Sequence, residues 1–565
     1  MKIALAQLNP IIGDLSGNCQ LIEQAAQIAR DLGASLLVTS ELCLSGYPPR
    51  DLLFRAGFVD DCHQSLLRLA QHTDDHFGML VGHPGPQGCA PGILANCVSL
   101  LSAGKILATR QKTLLPNYDV FDEKRYFHPG QTIAPIEFQG LRLGVHVCED
   151  AWWEESNTLY RCLPEDLSDP VQVLANQGAD LFINLSASPY EFGKIQRRHE
   201  LIRRHVQHHH RPFLFVNQVG GNDDLVFDGS SFAMNAVGEL IQTLASFRPD
   251  LQLIDTDLLS KSIPEPATHR ERELLEAITL GLKDYMQKCG FTDCVLGLSG
   301  GIDSALAACI AARAIGGERV HGILMPSRYS SQHSLDDARL LAENLGMDWT
   351  VIPIDSVHAA CESLPVLQGD LAPQPAGLAD QNLQARIRGA IVMTRSNRHN
   401  WIALATGNKS ELAVGYCTLY GDMCGGFAVL SDLYKGDVYA LSRYLNLEAG
   451  REIIPQHVID KPPSAELAPN QFDQDTLPTY PVLDAILHGL IEEERSPADL
   501  AREFPPETVA WVVKRLDRSE FKRGQMAPGV KLSQRAFGSG RRMPMAARIE
   551  QIALSRGCDE SVRTD

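Results

Sequence analysis

Three residues in the first half of the chain carry the side chains that a thiol-based amide hydrolysis requires. Glu41 and Cys148 each follow a short apolar run, and Lys112 lies between them in the sequence. In such a hydrolysis a thiolate attacks the amide carbon, a carboxylate takes the thiol proton and a lysine stabilises the oxyanion. Each residue alone is more typical of a core thiol or a solvated charge. Their combination favours a cysteine amidohydrolase.

A glycine-rich turn in the second half has the composition of a phosphate-binding loop. It follows the apolar run Cys294–Leu298 and precedes a helical pattern. Glycines let the backbone approach a ligand closely, and the N–H groups of a helix start attract phosphate. Its S-G-G-x-D-S order differs from the P-loop of kinases and GTPases. The residues predicted to bind phosphate are Gly297, Leu298, Ser299, Gly300, Gly301, Ile302, Asp303 and Ser304.

Length and charge restrict the classes of protein that could position these residues. A chain of 565 residues exceeds a single hydrophobic core, so two domains are expected. The net charge of −18 argues against nucleic acid and membranes as partners. Fourteen cysteines are scattered without a secretory signal, and no apolar run is long enough to span a membrane. We therefore expect a cytoplasmic protein with reduced thiols.

The hydrophobic pattern indicates two successive α/β domains. Short apolar runs alternate with helical periodicity, and several runs end at polar residues, where the sites of layered α/β folds collect. Ile263-Pro264-Glu265-Pro266 interrupts the pattern, which places the domain boundary near residue 265. We expect domains at 1–262 and 270–565. The proline-rich run Asp460–Pro481 is interpreted as a loop of the second domain.

The first domain resembles the nitrilase superfamily, which carries a Glu–Lys–Cys triad on an α-β-β-α sandwich. Its sequence motifs are similar to those of the glutaminase branch found in NAD synthetases. Leu-Pro-Asn-Tyr follows the lysine, and Asn184–Tyr190 has the sequence Asn-Leu-Ser-Ala-Ser-Pro-Tyr. The resemblance implies that the catalytic residues are Glu41, Lys112 and Cys148, with Glu123 as a second glutamate. It also implies that glutamine is bound by Tyr118, Ser188 and Lys194.

The second domain resembles the NAD synthetase family of ATP pyrophosphatases. Besides the glycine loop, the resemblance rests on the segments Met325–Ser331, Asn382–Arg388 and Thr406–Glu411. It implies a doubly wound parallel sheet that is Rossmann-like, of the adenine nucleotide alpha hydrolase type. It further implies that ATP is bound by the residues of the glycine loop, Gly297–Ser304, and by Thr406. Mg²⁺ would be held by Asp303 and Glu411, and deamido-NAD would be bound by Asn382, Glu411 and Lys522.

The resemblance predicts a ligase with glutamine, ATP and deamido-NAD as substrates and Mg²⁺ as cofactor, assembled as a homo-oligomer. Ammonia from glutamine would displace AMP from an acyl adenylate. The dinucleotide would require local positive charge inside an acidic chain, and the candidate cations are Arg386, Arg388, Lys409, Lys435 and Lys522. For Lys435 a solvated surface position is an open alternative.

Three other functions remain open from the sequence. The first is an ammonia-dependent synthetase whose nitrilase-like domain only docks, and the second is an amidotransferase acting on another acid, as in GMP or asparagine synthesis. The third is a nitrilase-like module for assembling complexes. The intact triad argues against the first and third, and the segments Asn382–Arg388 and Thr406–Glu411 argue against the second.

Overall fold

The chain forms two compact units in a computed structural model. The structure describes residues 1–86, 93–153, 155, 168–257, 262–364, 367, 377–547 and 549. Unit 1 comprises Met1–Thr268 and unit 2 comprises His269–Asp565. Within the described residues, no helix combines the length and the apolar character that a membrane crossing needs.

Unit 1 is built from strands with a few flanking helices. Its strands are β1 Lys2–Gln7, β2 Leu36–Val38, β3 Gly78–Pro86, β4 Leu94–Ser102, β5 Lys105–Gln111, β6 Ile136–Phe138, β7 Leu141–Val147, β8 Leu181–Ser186, β9 Phe213–Asn217, β10 Val219–Asn222, β11 Leu225–Asp228, β12 Phe232–Met234, β13 Leu240–Thr243 and β14 Asp250–Asp255. Its α-helices are α1 Leu15–Asp31, α2 Phe58–Ala70, α3 Pro170–Asn176 and α4 Lys194–His209. Single 3₁₀ turns occupy Arg50–Phe54, Glu123–Arg125 and Cys148–Ala151.

The strands of unit 1 form two six-stranded sheets, and β10 and β11 form a separate hairpin. The first sheet has the order β14-β1-β2-β3-β4-β5, and the second has the order β13-β12-β9-β8-β7-β6. Side chains of both sheets share one apolar layer, to which Ile3 and Leu5 contribute from β1 and Val145 from β7. The alternate residues Ala4 and Ala6 of β1 pack on the opposite side, with α1 and α2.

The outer face of the second sheet is covered in the same way. Phe182 of β8 and Phe213 of β9 pack in a second cluster with Leu174 of α3 and Ile202 of α4. Each central strand therefore has both faces buried, which explains why β8 lacks an exposed residue and is mostly apolar. The layers run helix, sheet, sheet, helix, so the predicted α-β-β-α sandwich is confirmed.

Unit 2 combines a small sheet with many helices. Its strands are β15 Cys294–Gly297, β16 Val320–Leu324, β17 Asp348–Val351, β18 Ile402–Ala405 and β19 Phe427–Ala428. Its α-helices are α5 Arg270–Lys288, α6 Ile302–Ile315, α7 Gln332–Leu345, α8 Asp355–Glu362, α9 Leu378–His399, α10 Lys409–Val414, α11 Lys435–Ala449, α12 Gln456–Asp460, α13 Tyr480–Ile491, α14 Pro497–Leu500, α15 Pro506–Arg518 and α16 Glu520–Arg523. Single 3₁₀ turns occupy Gly317–Arg319 and Asp473–Asp475.

The sheet of unit 2 is parallel, with the order β17-β16-β15-β18-β19. After β15 the chain adds β16 and then β17 on one side of that strand. It then adds β18 and β19 on the other side. Because crossover connections are right-handed, this reversal places helices on both faces of the sheet. The predicted doubly wound sheet is confirmed, and the order of its strands reverses between β15 and β18. Ligands of such sheets bind beyond the carboxyl ends of the strands at that point.

The glycine turn after β15 lies at this reversal point. Gly300 has a φ of +75°, and a Cβ atom there would lie 2.1 Å from the carbonyl oxygen of Ser334 at the start of α7. Glycine is therefore required both for the backbone conformation and for the close approach of α7.

Gly82 of β3 has a comparable role behind the Glu41 loop of unit 1. A Cβ atom at Gly82 would lie 2.4 Å from the Ser40 carbonyl oxygen and 2.6 Å from the Leu42 nitrogen. We expect Gly82→Ala to lower the free energy of unfolding of unit 1 by about 1–3 kcal/mol, because backbone atoms have to move. Urea denaturation measures this effect. Gly436→Ala is the control, since its Cβ would make an ordinary 3.5 Å contact, and equal losses would contradict the prediction.

Candidate active sites

The structure brings Glu41 and Lys112 into direct contact. Glu41 follows β2 and Lys112 follows β5 of the same sheet, and both side chains are fully buried. The Lys112 ammonium donates to Glu41 Oε1 at 2.7 Å and to Glu123 Oε1 at 2.8 Å. Asn96 Nδ2 also donates to Glu41 Oε1 at 2.7 Å, and the Ala187 amide donates to Glu41 Oε2 at 2.9 Å. These bonds fix the orientation of the carboxylate.

Cys148 enters this cluster from the second sheet, at the carboxyl end of β7. Its φ of +40° is rare for a residue with a side chain, and the 3₁₀ turn Cys148–Ala151 begins there. Asp150 of the same turn accepts the amides of Thr113 and Leu114 at 2.9 and 2.8 Å. The turn that carries the thiol is thus tied to the residues that follow Lys112. Strained conformations of this kind are maintained when surrounding contacts fix them.

Burial dominates the electrostatics around the thiol. It raises the pKa of Cys148 well above the usual value, Glu41 adds to this rise, and Lys112 opposes it. Burial also works against the charge of Lys112, but Glu123, Glu41 and Cys148 outweigh it and raise the pKa of the ammonium well above its usual range. Burial raises the pKa of Glu123 to about 7. The resting site therefore holds a neutral thiol beside a permanent cation.

The three predicted glutamine-binding residues lie around the same turn. The Tyr118 hydroxyl donates a hydrogen bond to Glu149 Oε1 at 2.8 Å, and Glu149 directly follows Cys148 in the chain. The Ser188 amide donates to Asn217 Oδ1 at 2.9 Å, one residue after the Ala187 amide that binds Glu41. Lys194 begins α4, and its ammonium lies 6.0 Å from the ring centroid of Trp152.

Several functional partners in unit 1 were not selected from the sequence. Asn96 orients Glu41, and Tyr47 donates to Glu123 Oε1 at 2.8 Å. Neither has a distinguishing local motif, because Asn96 reaches Glu41 through the pairing of β4 in the sheet and Tyr47 reaches Glu123 from a loop 76 positions earlier in the chain. Glu149 and Asp150 were recognisable in principle, since two carboxylates directly follow the candidate nucleophile.

Unit 2 contains a cavity of about 310 Å³ at the reversal point of the sheet. Its lining combines the glycine turn after β15, the segment after β18 and the start of α11. Of the predicted ATP-binding residues, those that line it are Gly297, Leu298, Ser299, Gly301, Ile302, Asp303, Ser304 and Thr406. Gly300 lies within the same turn, with its α-carbon against α7.

Two carboxylates in this cavity converge on Lys435. The Lys435 ammonium donates to Asp303 Oδ2 at 2.6 Å and to Glu411 Oε1 at 3.2 Å. Asn408 donates to Asp303 Oδ1 at 2.8 Å and accepts the Glu411 amide at 3.0 Å, which links the glycine turn to α10. Lys435 is nearly fully buried and therefore is not a solvated surface lysine.

The carboxylates of this cluster have altered proton affinity. Burial raises the pKa of Glu411 to about 8, with Lys435 opposing the rise and Asp303 and Asp473 adding to it. Burial also raises the pKa of Asp473, although Tyr480 donates a hydrogen bond to it at 2.8 Å. Oxygen ligands grouped in this way suit Mg²⁺, which prefers carboxylates together with phosphates.

The other predicted residues of unit 2 lie at different distances from the cavity. Glu411 lines it, whereas Asn382 and Lys522 do not occur among its described lining residues. Asn382 accepts the Thr418 hydroxyl at 2.7 Å, and Lys522 donates to the carbonyl oxygens of Gly415 and Cys417 at 2.8 and 2.7 Å. Both are thus bound to the segment that follows α10.

Lys409 requires a correction as a candidate phosphate cation. Its side chain is fully buried, and its ammonium pairs with Asp432 at 2.8 Å and with Glu492. Burial of the lysine is compatible with charge only because these carboxylates compensate it. Arg388, in contrast, lines the cavity and donates to the Met325 carbonyl at 3.0 Å.

The proline-rich loop contributes more than the sequence indicated. Lys461, Glu466 and Asp473 all line the cavity. Glu466 accepts the hydroxyls of Ser331 and Ser334 at 2.9 and 2.6 Å, which attaches the loop to the start of α7. Isolated charges between prolines carried no periodic signal, so sequence inspection gave them no role.

The raised pKa of Glu411 predicts a pH-dependent stability of unit 2. Between about pH 4.5 and pH 8 the unfolded chain releases a proton that folded Glu411 retains, so the free energy of unfolding decreases as pH rises. Without divalent metal, we expect Glu411→Gln to flatten this decrease. Denaturant titrations at several pH values measure it. Parallel pH profiles of the wild type and the variant would contradict the assignment.

Comparisons with known proteins agree with this geometry. Residues 2–265 match the carbon-nitrogen hydrolase family, and residues 274–526 match the NAD synthase family. The chain is 46% identical to the glutamine-dependent NAD(+) synthetase of Synechocystis, with 96% of this chain and 98% of the relative covered. It is 40% identical to the enzyme of the same name from Thermotoga maritima, with 98% and 99% covered.

A solved structure extends the likeness to three dimensions. The glutamine-dependent NAD+ synthetase of Acinetobacter baumannii in complex with ADP is 38% identical, with a TM-score of 0.75 and coverage of 96% of this chain and 98% of that one. The synthetase of Cytophaga hutchinsonii shares the fold at 22% identity, with a TM-score of 0.81 and coverage of 99% and 100%. The chain belongs to the family of glutamine-dependent NAD(+) synthetases.

Proposed function

We propose that this ligase hydrolyses glutamine in unit 1 and uses the ammonia, with ATP, to convert deamido-NAD to NAD in unit 2. The observation that carries the proposal is that one chain contains two distinct arrangements. One is a buried Glu41–Lys112 pair beside Cys148, and the other is a cavity lined by the glycine turn Gly297–Ser304. The products are glutamate, NAD, AMP and pyrophosphate. A module for assembling complexes needs neither arrangement, so both features favour an enzyme over such a module.

In unit 1, Cys148 is the proposed nucleophile. Glu41 accepts the thiol proton as sulfur attacks the side-chain amide carbon of glutamine, and Lys112 stabilises the oxyanion. The carbon–nitrogen bond then breaks, ammonia leaves with the proton from Glu41, and a thioester remains. Glu41 next removes a proton from water, which hydrolyses the thioester to glutamate and restores the thiol. The fixed orientation of Glu41 suits both proton transfers.

In unit 2, the glycine turn is the proposed binding site for the phosphates of ATP. A carboxylate oxygen of the nicotinate group attacks the α-phosphorus, and the bond between the α and β phosphates breaks. Ammonia then attacks the acyl carbon and AMP leaves.

Lys435 and the backbone N–H groups at the start of α6 provide positive charge for the phosphates. Thr406 and Arg388 line the same cavity. Asn382, Glu411 and Lys522 are proposed to bind deamido-NAD.

Asp303 and Glu411 are the proposed ligands of Mg²⁺. Their oxygens converge on one point, now marked by the ammonium of Lys435, and they belong to the cavity that the phosphates would occupy. A bound Mg²⁺ would offset phosphate charge there.

We further propose a protected route for ammonia, since protonation in bulk water removes its nucleophilic lone pair. A homo-oligomeric state and a cytoplasmic location complete the proposal.

Replacing Cys148 by Ala tests the division of labour between the units. We expect glutamine-driven NAD formation to fall by about a thousandfold or more, because the nucleophile is lost. Formation driven by an ammonium salt should persist, since unit 2 is unchanged. Cys62→Ala, a buried thiol in α2, is the matched control. Equal losses with both nitrogen donors would contradict the scheme, and unaffected use of glutamine would exclude Cys148 as nucleophile.

Replacing Asp303 by Asn tests the proposed metal ligand. The Mg²⁺ concentration for half-maximal NAD formation should rise by at least about tenfold with either nitrogen donor. Asp336→Asn removes an exposed carboxylate of α7 and should leave the Mg²⁺ dependence unchanged. An unaltered Mg²⁺ dependence of the Asp303 variant would refute the assignment of this ligand.

A further inference from the structure

Two carboxylates of unit 2, Asp303 and Glu411, are each held by the same two residues. The Lys435 ammonium donates to one oxygen of each, Asp303 Oδ2 at 2.6 Å and Glu411 Oε1 at 3.2 Å. Asn408 donates to the other oxygen of each. Its side-chain amide donates to Asp303 Oδ1 at 2.8 Å, and its backbone N–H donates to Glu411 Oε2 at 3.4 Å. The four carboxylate oxygens are therefore divided between a cation and a neutral residue.

The fold fixes the orientation of the Asn408 amide. Asn408 is fully buried and is the N-cap of α10. Its Oδ1 atom accepts the Glu411 amide at 3.0 Å, so the Nδ2 group of the same side chain is directed to Asp303. Capping a helix requires only the oxygen atom of the side chain. The bond from Nδ2 to Asp303, which lies 105 positions earlier in the chain, is therefore not explained by capping.

This division of oxygens has a consequence when the cation changes. Lys435 occupies the point at which Mg²⁺ is proposed to bind, whereas the described residues that line the cavity do not include Asn408. Exchange of the ammonium for a metal ion frees Asp303 Oδ2 and Glu411 Oε1. The bonds from Asn408 are compatible with this exchange, so each carboxylate presents one oxygen to the incoming ion.

The number of oxygens that a carboxylate presents discriminates between divalent cations. Mg²⁺ is small, requires near-octahedral geometry and is usually bound by one or two carboxylates together with phosphates and water. Ca²⁺ is larger, takes about six to eight oxygens and often binds both oxygens of one carboxylate. A carboxylate whose second oxygen already accepts a hydrogen bond from a buried amide therefore suits Mg²⁺ better than Ca²⁺.

We propose that Asn408 is a positioning residue that makes unit 2 selective for Mg²⁺ over Ca²⁺, because it keeps one oxygen of Asp303 and one of Glu411 from the metal. This inference rests on the proposed function, in which these two carboxylates are the ligands of Mg²⁺. Asn408 contacts no substrate and no metal in this scheme and acts through the carboxylates. To gain a further oxygen from Asp303, Ca²⁺ has to break a buried hydrogen bond, which leaves the Asn408 amide without an acceptor.

Replacing Asn408 by Ser tests the inference, because serine is as good an N-cap as asparagine but has no amide nitrogen. Mn²⁺ is the probe, since carboxylate sites that suit Mg²⁺ also accept it. Its binding to the nucleotide-free protein is measured by electron paramagnetic resonance. We expect Asn408→Ser to raise the dissociation constant for Mn²⁺ by about tenfold, as for other groups that orient metal ligands. The dissociation constant for Ca²⁺, measured by competition with Mn²⁺, should rise by no more than about threefold.

Further variants separate positioning from capping. Asn408→Ala loses the cap as well, so the midpoint of its urea denaturation should fall, whereas that of Asn408→Ser should not. Ser496→Ala is the matched control. It removes the N-cap of α14, where Ser496 accepts the Asp499 amide at 3.1 Å, and should leave both metal affinities unchanged. In an Asp303→Ala background, Asn408→Ser should weaken Mn²⁺ binding no further, because its effect passes through Asp303.

The contrary outcomes can be told apart. Unchanged Mn²⁺ affinity in Asn408→Ser, or equal losses of Mn²⁺ and Ca²⁺ affinity in a folded variant, would overturn the inference. A wild type whose Asp303-dependent site binds Ca²⁺ as tightly as Mn²⁺ would overturn it without any change at Asn408, which covers the case of a misfolded variant. Failure of the wild type to form NAD from an ammonium salt would instead overturn the proposed function.

Discussion

The ammonium of Lys112, buried and shared between Glu41 and Glu123, is the interaction on which the rest of unit 1 depends. A fully buried cation is stable only when carboxylates surround it at hydrogen-bonding distance, and here both lie within 2.8 Å. The requirement fixes the loops after β2 and β5 relative to one another. It also brings a permanent positive charge to the turn of Cys148, where an oxyanion would form.

Unit 2 uses the same physical arrangement for a different purpose. Lys435 is nearly fully buried and is held by Asp303 and Glu411, which belong to the glycine turn and to α10. In unit 1 the lysine and its carboxylates lie beside a thiol, and burial raises the pKa of Glu123 to about 7. In unit 2 the carboxylate oxygens face a cavity, and burial raises the pKa of Glu411 to about 8. Cations and phosphates are the ligands that such a cavity favours.

Much of the fold was predictable because buried strands impose a simple pattern. The predicted strand over residues 143–147 is the end of β7, and the predicted helix Ser304–Ile315 is α6 with two earlier residues. Burial of both faces makes such strands mostly apolar, and this pattern is visible in the sequence without tertiary information. Lys409 was misjudged for the opposite reason. Its partners Asp432 and Glu492 are remote in the sequence, so a solvated cation and a buried ion pair looked alike.

The sequence by itself determined the two α/β units, the order Glu41, Lys112, Cys148 and the glycine turn Gly297–Ser304, because apolar periodicity and backbone permissiveness are local properties. Tertiary structure alone decided which charges meet. It formed the hydrogen bonds of Asn96 to Glu41, of the backbone after Lys112 to Asp150, and of Tyr118 to Glu149. Coulomb energy and desolvation depend on distances between residues far apart in the chain, and only folding sets those distances.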